Sequence, residues 1–184
     1  MTNATDSPPV GQQGATGSAG FPPPASLRTK LASRMGMLTL RPISAILPPD
    51  RRWGMWLSRL IVASIMDASG ASLRGTRIEQ VCAELPNGHQ VRGEWVRAPG
   101  VGRTASAIYF VHGSGFALCS PRTHRRLTSA LSKATGLPVF CVDYRLAPEH
   151  RFPAAATDVA AGWEWLSGAR GIAPEQVVIV GDSA

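Results

Sequence analysis

The 184-residue chain has few cysteines, no long apolar run and a shortage of acidic residues. Its cysteines, Cys82, Cys119 and Cys141, are widely spaced and form no CxxC pair or Cys/His cluster, which argues against a disulfide framework or a zinc site. No apolar run approaches the roughly 20 residues that a membrane-spanning helix needs. The N-terminus lacks the basic and apolar regions of a signal peptide, so we expect a cytoplasmic location.

The net charge of +7 comes mostly from the first 60 residues, which hold seven Lys/Arg against two Asp/Glu. Such a surplus favours anionic surfaces, but no aromatic interleaving or nucleic-acid motif accompanies it. We therefore expect solvated basic residues beside a nearly neutral domain, and no nucleic-acid partner. A surface-binding protein that uses this basic region is the alternative from a different functional class.

The first 75 residues divide into two predicted segments. Residues 1–27 are rich in Gly, Pro, Ser, Ala and Thr, so we predict a disordered tail. Residues 28–75 are predicted to be helical in pieces. One helix has an apolar stripe opposite Arg52 and Arg59, formed by Trp53, Trp56, Leu57, Leu60, Ile61 and Ile65. We expect the stripe to pack on a neighbouring domain, and a membrane-surface helix is the alternative because tryptophan and arginine suit a lipid interface.

From residue 76 onward, short apolar strands alternate with helices. A hairpin is predicted at Pro86-Asn87-Gly88-His89, because Asn-Gly tolerates positive φ. The predicted strands are Ile78–Leu85, Val91–Arg97, Ala105–Val111, Val139–Tyr144 and Val177–Val180, and the predicted helices are Thr123–Thr135 and Pro153–Leu166. This order predicts an α/β domain over residues 76–184, with an antiparallel hairpin followed by parallel strands and crossover helices.

Two candidate sites follow the ends of predicted parallel strands, where open α/β sheets bind their ligands. The first is the glycine-rich HGSGF, His112 to Phe116, whose backbone N–H groups can face an incoming anion. The second is the terminal GDSA, Gly181 to Ala184, which suits a sharp turn that presents Ser183 after a buried strand. Taken singly, the first also fits an ordinary strand-to-helix turn and the second a helix-capping serine.

A third motif, DYRLAPEHRFPA, leaves the buried strand that ends near Tyr144. Arg145 lies between Asp143 and Glu149 and is predicted to form charge-assisted pairs that stiffen this loop. We interpret the motif as support for the neighbouring glycine loop rather than as part of the chemistry.

In this order, "YFVHGSGF", "DYRLAPEHRFPAA" and "VVIVGDSA" resemble the hormone-sensitive-lipase-type family of α/β-hydrolase carboxylesterases and lipases. The resemblance covers about residues 76–184. It implies the N-terminal half of an α/β-hydrolase fold, with strand order 1-2-4-3-5-6-7-8, preceded by a cap-like helical segment at residues 28–75. It also implies hydrolysis of a small-molecule carboxylic ester without a metal or organic cofactor.

The resemblance implies roles for individual residues. Ser183 matches the nucleophile that forms the acyl-enzyme, and the N–H groups of Ser114, Gly115 and Ala184 match the donors of the oxyanion hole. The positions that match the supporting loops are His112, Gly113, Asp143, Arg145 and Glu149. In the family the histidine at the start of the glycine loop shapes that loop and is not the base.

Two departures from the family pattern affect the expected activity. Ser114 stands where the family usually has glycine, and a side chain there disfavours positive φ. The acid and histidine of the family's triad follow the serine turn, beyond residue 184. A serine without a base keeps its proton, so we expect this truncated chain to be inactive alone, with Val177–Val180 as a bare sheet edge.

Three hypotheses remain at this stage. The chain is an ester hydrolase that needs a second polypeptide to supply the remaining strands, acid and histidine. Alternatively, it is a truncated relative without catalytic activity. The third hypothesis is a protein that binds a membrane or another surface through its basic N-terminal region.

Overall fold

The computed structural model describes residues 51–68 and 72–183. The predicted tail at residues 1–27, residues 28–50 and 69–71 of the predicted helical segment, and Ala184 lie outside these residues. The division of the chain into a tail, a cap-like segment and a hydrolase domain therefore stays a prediction.

In the part of the chain that the structure describes, five strands form one mixed sheet in the order β1-β2-β4-β3-β5. Their bounds are β1 Arg77–Glu84, β2 Gln90–Arg97, β3 Ala107–Val111, β4 Val139–Val142 and β5 Val177–Gly181. The first two strands form the predicted antiparallel hairpin, and β4 pairs antiparallel with β2. Both β4 and β5 run parallel to β3, one on each side of it. The order matches the first five strands that the family resemblance implies.

Within residues 51–68 and 72–183, three α-helices accompany the sheet: α1 Arg52–Ala68, α2 Arg125–Thr135 and α3 Ala154–Glu164. The predicted helix over Thr123–Thr135 begins instead with a 3-10 turn at Pro121–His124 and becomes α-helical at Arg125. The predicted helix over Pro153–Leu166 is α-helical to Glu164 and continues as a π-helical turn, Trp165–Ala169. The bounds of the five observed strands agree with the predicted bounds to within two residues at each end.

Two apolar clusters lie on opposite faces of the sheet, because successive strand residues point to opposite sides. In β3, Tyr109 joins the larger cluster with Trp95, Phe140 and Trp165, while Phe110 belongs to the smaller one. The larger cluster includes α3 residues, and Leu131 of α2 packs against the smaller cluster. The central strands are therefore covered on both faces, as their continuous apolar runs indicate.

A buried ion pair attaches α2 to the sheet. Glu94 of β2 is 2% exposed, and both of its carboxylate oxygens accept hydrogen bonds from Arg125, at 2.7–3.2 Å. Gln80 of β1 donates a further bond of 2.8 Å to the same carboxylate. The pairing compensates the cost of burying the glutamate charge and fixes the start of α2 against β2.

Helix α1 packs by a different face from the one that its apolar stripe predicts. Trp53 and Trp56 are 55% and 64% exposed, and Leu60 and Ile65 are also exposed. Met55 is buried, and Arg59 reaches the loops that follow β3 and β4. The predicted packing of the apolar stripe was wrong, because Arg59, expected on the solvent side, makes hydrogen bonds that hold the helix in place.

Candidate active site

The two loops singled out in the sequence meet at one edge of the sheet. Strands β3 and β5 are parallel neighbours, with Val111 opposite Gly181, so the residues after each strand emerge side by side. A Cβ placed on Gly113 would lie only 2.6 Å from the Ser183 Cβ and 3.0 Å from the Ser183 nitrogen. Only glycine allows the loop to approach the serine this closely.

Asp182, directly before the serine, binds two other segments through its carboxylate. One oxygen accepts a 2.7 Å hydrogen bond from the Gly113 N–H, and the other lies 3.0 Å from His124 Nε2. A carboxylate only accepts, so Nε2 carries the hydrogen of this pair. The His124 ring is almost fully buried, and its Nδ1 lies 3.0 Å from the Thr123 hydroxyl. The carboxylate thus joins the serine turn, the glycine loop and the start of α2.

His112 is buried and takes part in a stack of rings. Its ring lies between those of Tyr144, at a centroid distance of 4.2 Å, and His124, at 5.6 Å. The Tyr144 hydroxyl donates to the His112 carbonyl and lies 3.1 Å from its Nδ1. Burial lowers the pKa of His112 to about 4, and the neighbouring His124 contributes in the same direction. The ring is therefore neutral near pH 7 and fixes the start of the glycine loop.

The glycine loop contains a run of left-handed backbone conformations. Ser114 has φ 85°, Gly115 has 62° and Phe116 has 57°. Ser114 thus adopts the positive φ that its side chain disfavours, and its hydroxyl lies 3.0 Å from the Cys119 thiol. Within the described residues, neither the Ser114 nor the Gly115 N–H donates a backbone hydrogen bond. These two N–H groups directly follow Gly113, the residue that contacts Ser183.

The charged loop after β4 is stiffened, but by partners different from those predicted. Arg145 binds Asp158 of α3 through its guanidinium, at 2.8 and 2.9 Å, and through its backbone N–H. Glu149 binds Arg59 of α1 at 2.8 Å. The expectation that Arg145 pairs with Asp143 and Glu149 was wrong, because helices distant in sequence bring closer partners to both side chains.

Burial alone would raise the pKa of Asp158, but the hydrogen bonds from Arg145 and His89 outweigh it and hold this pKa below its usual value. His89 Nε2 lies 2.9 Å from the same carboxylate. Arg59 likewise lowers the pKa of Glu149 and also donates to the Ala117 and Ala147 carbonyls. These pairs connect the loop after β4 to the hairpin, to α1 and to the end of the glycine loop.

A cleft of about 430 Å³ in the described structure does not include Ser183 in its lining. It is lined by the hairpin turn and the charged loop: Gly88, His89, Gln90, Arg92, Asp143, Arg145, His150 and Asp158. A cavity of about 310 Å³ borders Asp182 and His124. Among residues 51–68 and 72–183, no group of three or more His, Cys, Asp or Glu side chains is arranged to hold a metal ion.

The structure brings together most of the residues that the sequence singled out. His112, Gly113, Ser114 and Gly115 lie in one loop against Ser183, and Ala184 lies outside the described residues. Sequence reasoning missed Asp182 and His124 as a connected pair. Asp182 stands inside the GDSA motif, but nothing in the sequence links it to a histidine 58 residues earlier.

Known proteins with similar sequences indicate the family to which this chain is related. A family model described as the alpha/beta hydrolase fold matches residues 108–184. The chain is 36% identical over 164 residues to the carboxylesterase/phospholipase LipF of Mycobacterium tuberculosis, covering 86% of this chain and 41% of LipF. It is 40% identical over 81 residues to the ethyl acetate hydrolase of Pseudomonas putida, covering 42% of this chain and 26% of that enzyme.

Solved structures give the same assignment. An esterase from the bacterial hormone-sensitive lipase (HSL) family matches with a TM-score of 0.69 and 32% identity, over 87% of this chain and 49% of that one. The esterase EstE5, in crystals soaked with p-nitrophenyl butyrate, matches with a TM-score of 0.68 and 29% identity, over 86% of this chain and 48% of that one.

The sheet order and the crossover helices, together with the matching family model, define the chain as part of an α/β hydrolase. Within that fold, the chain belongs to the hormone-sensitive-lipase-type family. It spans 41% of LipF and about half of the solved esterases that it matches, and the matched part is the N-terminal half of the fold.

Proposed function

We propose that this chain carries the nucleophile and the oxyanion loop of a carboxylic-ester hydrolase. The observation that supports this most directly is the contact between the glycine loop and the serine, where only a hydrogen fits on Gly113 beside Ser183. In acyl transfer, the oxygen that becomes negative must lie next to the attacking hydroxyl. A glycine loop with two available N–H groups beside a serine meets that requirement.

In the proposed reaction, the Ser183 hydroxyl attacks the ester carbonyl carbon and its proton passes to a histidine base. The N–H groups of Ser114, Gly115 and Ala184 hold the carbonyl oxygen as it gains negative charge. The alcohol then leaves with a proton from the same histidine, and water releases the acid from the serine. The reaction needs no metal or organic cofactor.

We further propose that the base and its acidic partner lie outside this sequence. Three histidines of the described part have other bonds: His89 with Asp158, His112 with Tyr144, and His124 with Asp182. The relatives that match are more than twice as long as the matched region. A continuation of the same chain, or a second polypeptide, would supply both groups and part of the acyl pocket.

The test is p-nitrophenyl butyrate hydrolysis by the chain alone and by the chain combined with a C-terminal half, either the frame encoded after codon 184 or a separately expressed half. We expect turnover only in the combined form, and a drop of about 10⁶-fold in kcat with Ser183→Ala. Turnover that survives Ser183→Ala would overturn the assignment of the nucleophile. Turnover by the chain alone that is lost with Ser183→Ala would show that no second part is needed.

The exposed face of α1 favours a second candidate function, peripheral contact with a lipid surface. Trp53, Trp56 and Leu60 form an outward apolar face, and Arg51 and Arg52 lie exposed at the start of the helix. Tryptophan with arginine is typical of helices that lie in a membrane interface. In the described residues, no helix is long and apolar enough to cross a membrane.

We expect the full chain to bind vesicles with anionic lipid and to lose that binding with a Trp53→Ser and Trp56→Ser double variant. A matched control is Leu127→Ser, which replaces an exposed apolar residue on α2. Equal vesicle binding by the wild type and the double variant would rule out this face as the contact.

A further inference from the structure

Asp182 lies next to the serine and contacts both the backbone of the glycine loop and the 3-10 turn that leads into α2. Its Oδ1 accepts the Gly113 N–H at 2.7 Å, and its Oδ2 accepts from His124 Nε2 at 3.0 Å. We propose that Asp182 and His124 are positioning residues that fix the oxyanion loop relative to Ser183. This inference rests on the proposed esterase function and assigns roles to two residues beyond it.

The bond to Gly113 acts at the point where the loop position matters most. Gly113 directly precedes Ser114 and Gly115, whose N–H groups are the proposed oxyanion donors. The backbone N–H of Gly113 donates a hydrogen bond to Asp182, the residue directly before the proposed nucleophile. One side chain therefore sets the distance between the donors and the attacking hydroxyl. Such distances are critical, since a displacement of about 1 Å can cost about 10²-fold in rate.

His124 holds the carboxylate in the orientation that reaches Gly113. The ring donates from Nε2 to Asp182, and its Nδ1 lies 3.0 Å from the Thr123 hydroxyl and 3.2 Å from the Ser120 carbonyl. Both ring nitrogens therefore lie within hydrogen-bonding distance of neighbouring protein groups. The ring is 4% exposed and its centroid lies 5.9 Å from that of Phe110 in β3. This packing against the sheet makes His124 a fixed support, whereas Asp182 itself is about one third exposed.

The backbone geometry explains why a carboxylate is needed at position 182. The two groups that it binds, an amide N–H and an imidazole N–H, are both donors. An asparagine offers one acceptor oxygen and an NH₂ group, so it can keep the bond to Gly113 only by facing His124 with a donor. Asp182→Asn is therefore a graded variant, while Asp182→Ala removes both bonds.

The first test measures the contact without requiring activity. Amide hydrogen exchange of Gly113 is followed by NMR in the full chain, as wild type, Asp182→Ala, Asp182→Asn and His124→Gln. We expect Gly113 exchange to accelerate at least tenfold in Asp182→Ala and less in Asp182→Asn. The controls are Glu175→Gln and His150→Gln, both exposed and remote from the pair. Unchanged exchange in Asp182→Ala, with circular dichroism showing an intact fold, would overturn the proposal.

The second test uses the chain combined with a C-terminal half and measures kcat and KM for p-nitrophenyl butyrate. A positioning role predicts a fall in kcat of about 10- to 100-fold in Asp182→Ala, with KM changed less than threefold and partial recovery in Asp182→Asn. A matching fall in His124→Gln is expected. Equal kcat in all variants would overturn the positioning role.

The two tests separate this inference from the proposed function. If no combined form hydrolyses the ester, the esterase proposal fails, and the Gly113 exchange still decides whether Asp182 holds the loop. If Ser183→Ala abolishes turnover while Asp182→Ala leaves both kcat and Gly113 exchange unchanged, the function stands and the positioning role is refuted.

Discussion

At the scale of single residues, the glycine loop combines one necessary glycine with one strained serine. Gly113 leaves no room for a side chain beside Ser183, and Ser114 adopts φ 85°. A non-glycine residue in this left-handed region costs about 1 kcal/mol. The contact between the Ser114 hydroxyl and the Cys119 thiol, at 3.0 Å, offsets part of that cost.

Substitution of Ser114 separates the strain from the side-chain contact. Ser114→Ala keeps the strain and loses the contact, so we expect the free energy of unfolding to fall by about 1 kcal/mol. Ser114→Gly removes the strain, so it should be more stable than Ser114→Ala by about 1 kcal/mol. Urea unfolding followed by tryptophan fluorescence measures both. Equal stabilities of the glycine and alanine variants would contradict the strained conformation.

A methyl group at Gly113 should disrupt the site. The added Cβ would lie 2.6 Å from the Ser183 Cβ, so the loop or the serine must move. We expect Gly113→Ala to lower stability by about 1–3 kcal/mol through overpacking and to abolish ester hydrolysis in the combined form. Gly102→Ala is the matched control, because a Cβ there meets nothing within 4 Å. Similar unfolding midpoints for the two variants would show that the loop approaches the serine less closely than described.

At the scale of secondary-structure elements, ion pairs add to the apolar contacts that hold the helices. Arg59 attaches α1 to the glycine loop and to Glu149, Arg125 attaches α2 to β2, and Asp158 attaches α3 to the charged loop. These partners are 13 to 90 residues apart. Each pair therefore joins elements that are separate in the sequence.

Breaking the Glu94–Arg125 pair from one side should be costly. Arg125→Met leaves the carboxylate of Glu94, which is 2% exposed, without its main partner. We expect a loss of about 3 kcal/mol in the free energy of unfolding. The double variant Glu94→Leu with Arg125→Met should recover much of it, because no buried charge is left unpaired. Arg126→Met, at an exposed neighbouring position, is the control. A double variant no more stable than Arg125→Met would contradict this explanation.

At the scale of the whole molecule, the buried histidine makes stability depend on pH. The pKa of His112 is lowered to about 4 in the folded state, against about 6.5 when unfolded. Below pH 6.5 the unfolded chain binds a proton that the folded chain does not, so stability falls as the pH decreases from about 6.5 to about 4. Asp158, with a lowered pKa, adds a further loss at lower pH, as it becomes protonated.

Replacing His112 should therefore flatten the pH profile. In His112→Gln we expect a smaller decrease in the free energy of unfolding between pH 6.5 and pH 4 than in the wild type, whatever the absolute stability of the variant. His150→Gln, which removes an exposed histidine, serves as the control and should keep the wild-type slope. A wild-type slope in His112→Gln would assign the acid sensitivity to other groups.

The whole sheet also shows which part of the proposed enzyme this chain provides. β5 forms the outer edge of the described sheet, with Val178 and Ile179 exposed, and it leads directly into the serine turn. The matched relatives are about twice as long or longer. A second part that pairs with β5 would cover this apolar edge and complete the site, which is why the activity assay combines two halves.

The sequence by itself determined the strands, the hairpin, the sheet order through the family resemblance, and the loops that meet at the site. Hydrophobic runs, turn residues and short motifs are local signals, and HGSGF and GDSA end neighbouring parallel strands. Only the tertiary structure decided that α1 faces outward with its tryptophans, that Arg145 pairs with Asp158, and that Asp182 connects Gly113 to His124. These contacts join residues that are far apart in the chain. A charged side chain pairs with the opposite charge that lies nearest in the folded structure, and the spacing of residues in the sequence does not reveal that distance.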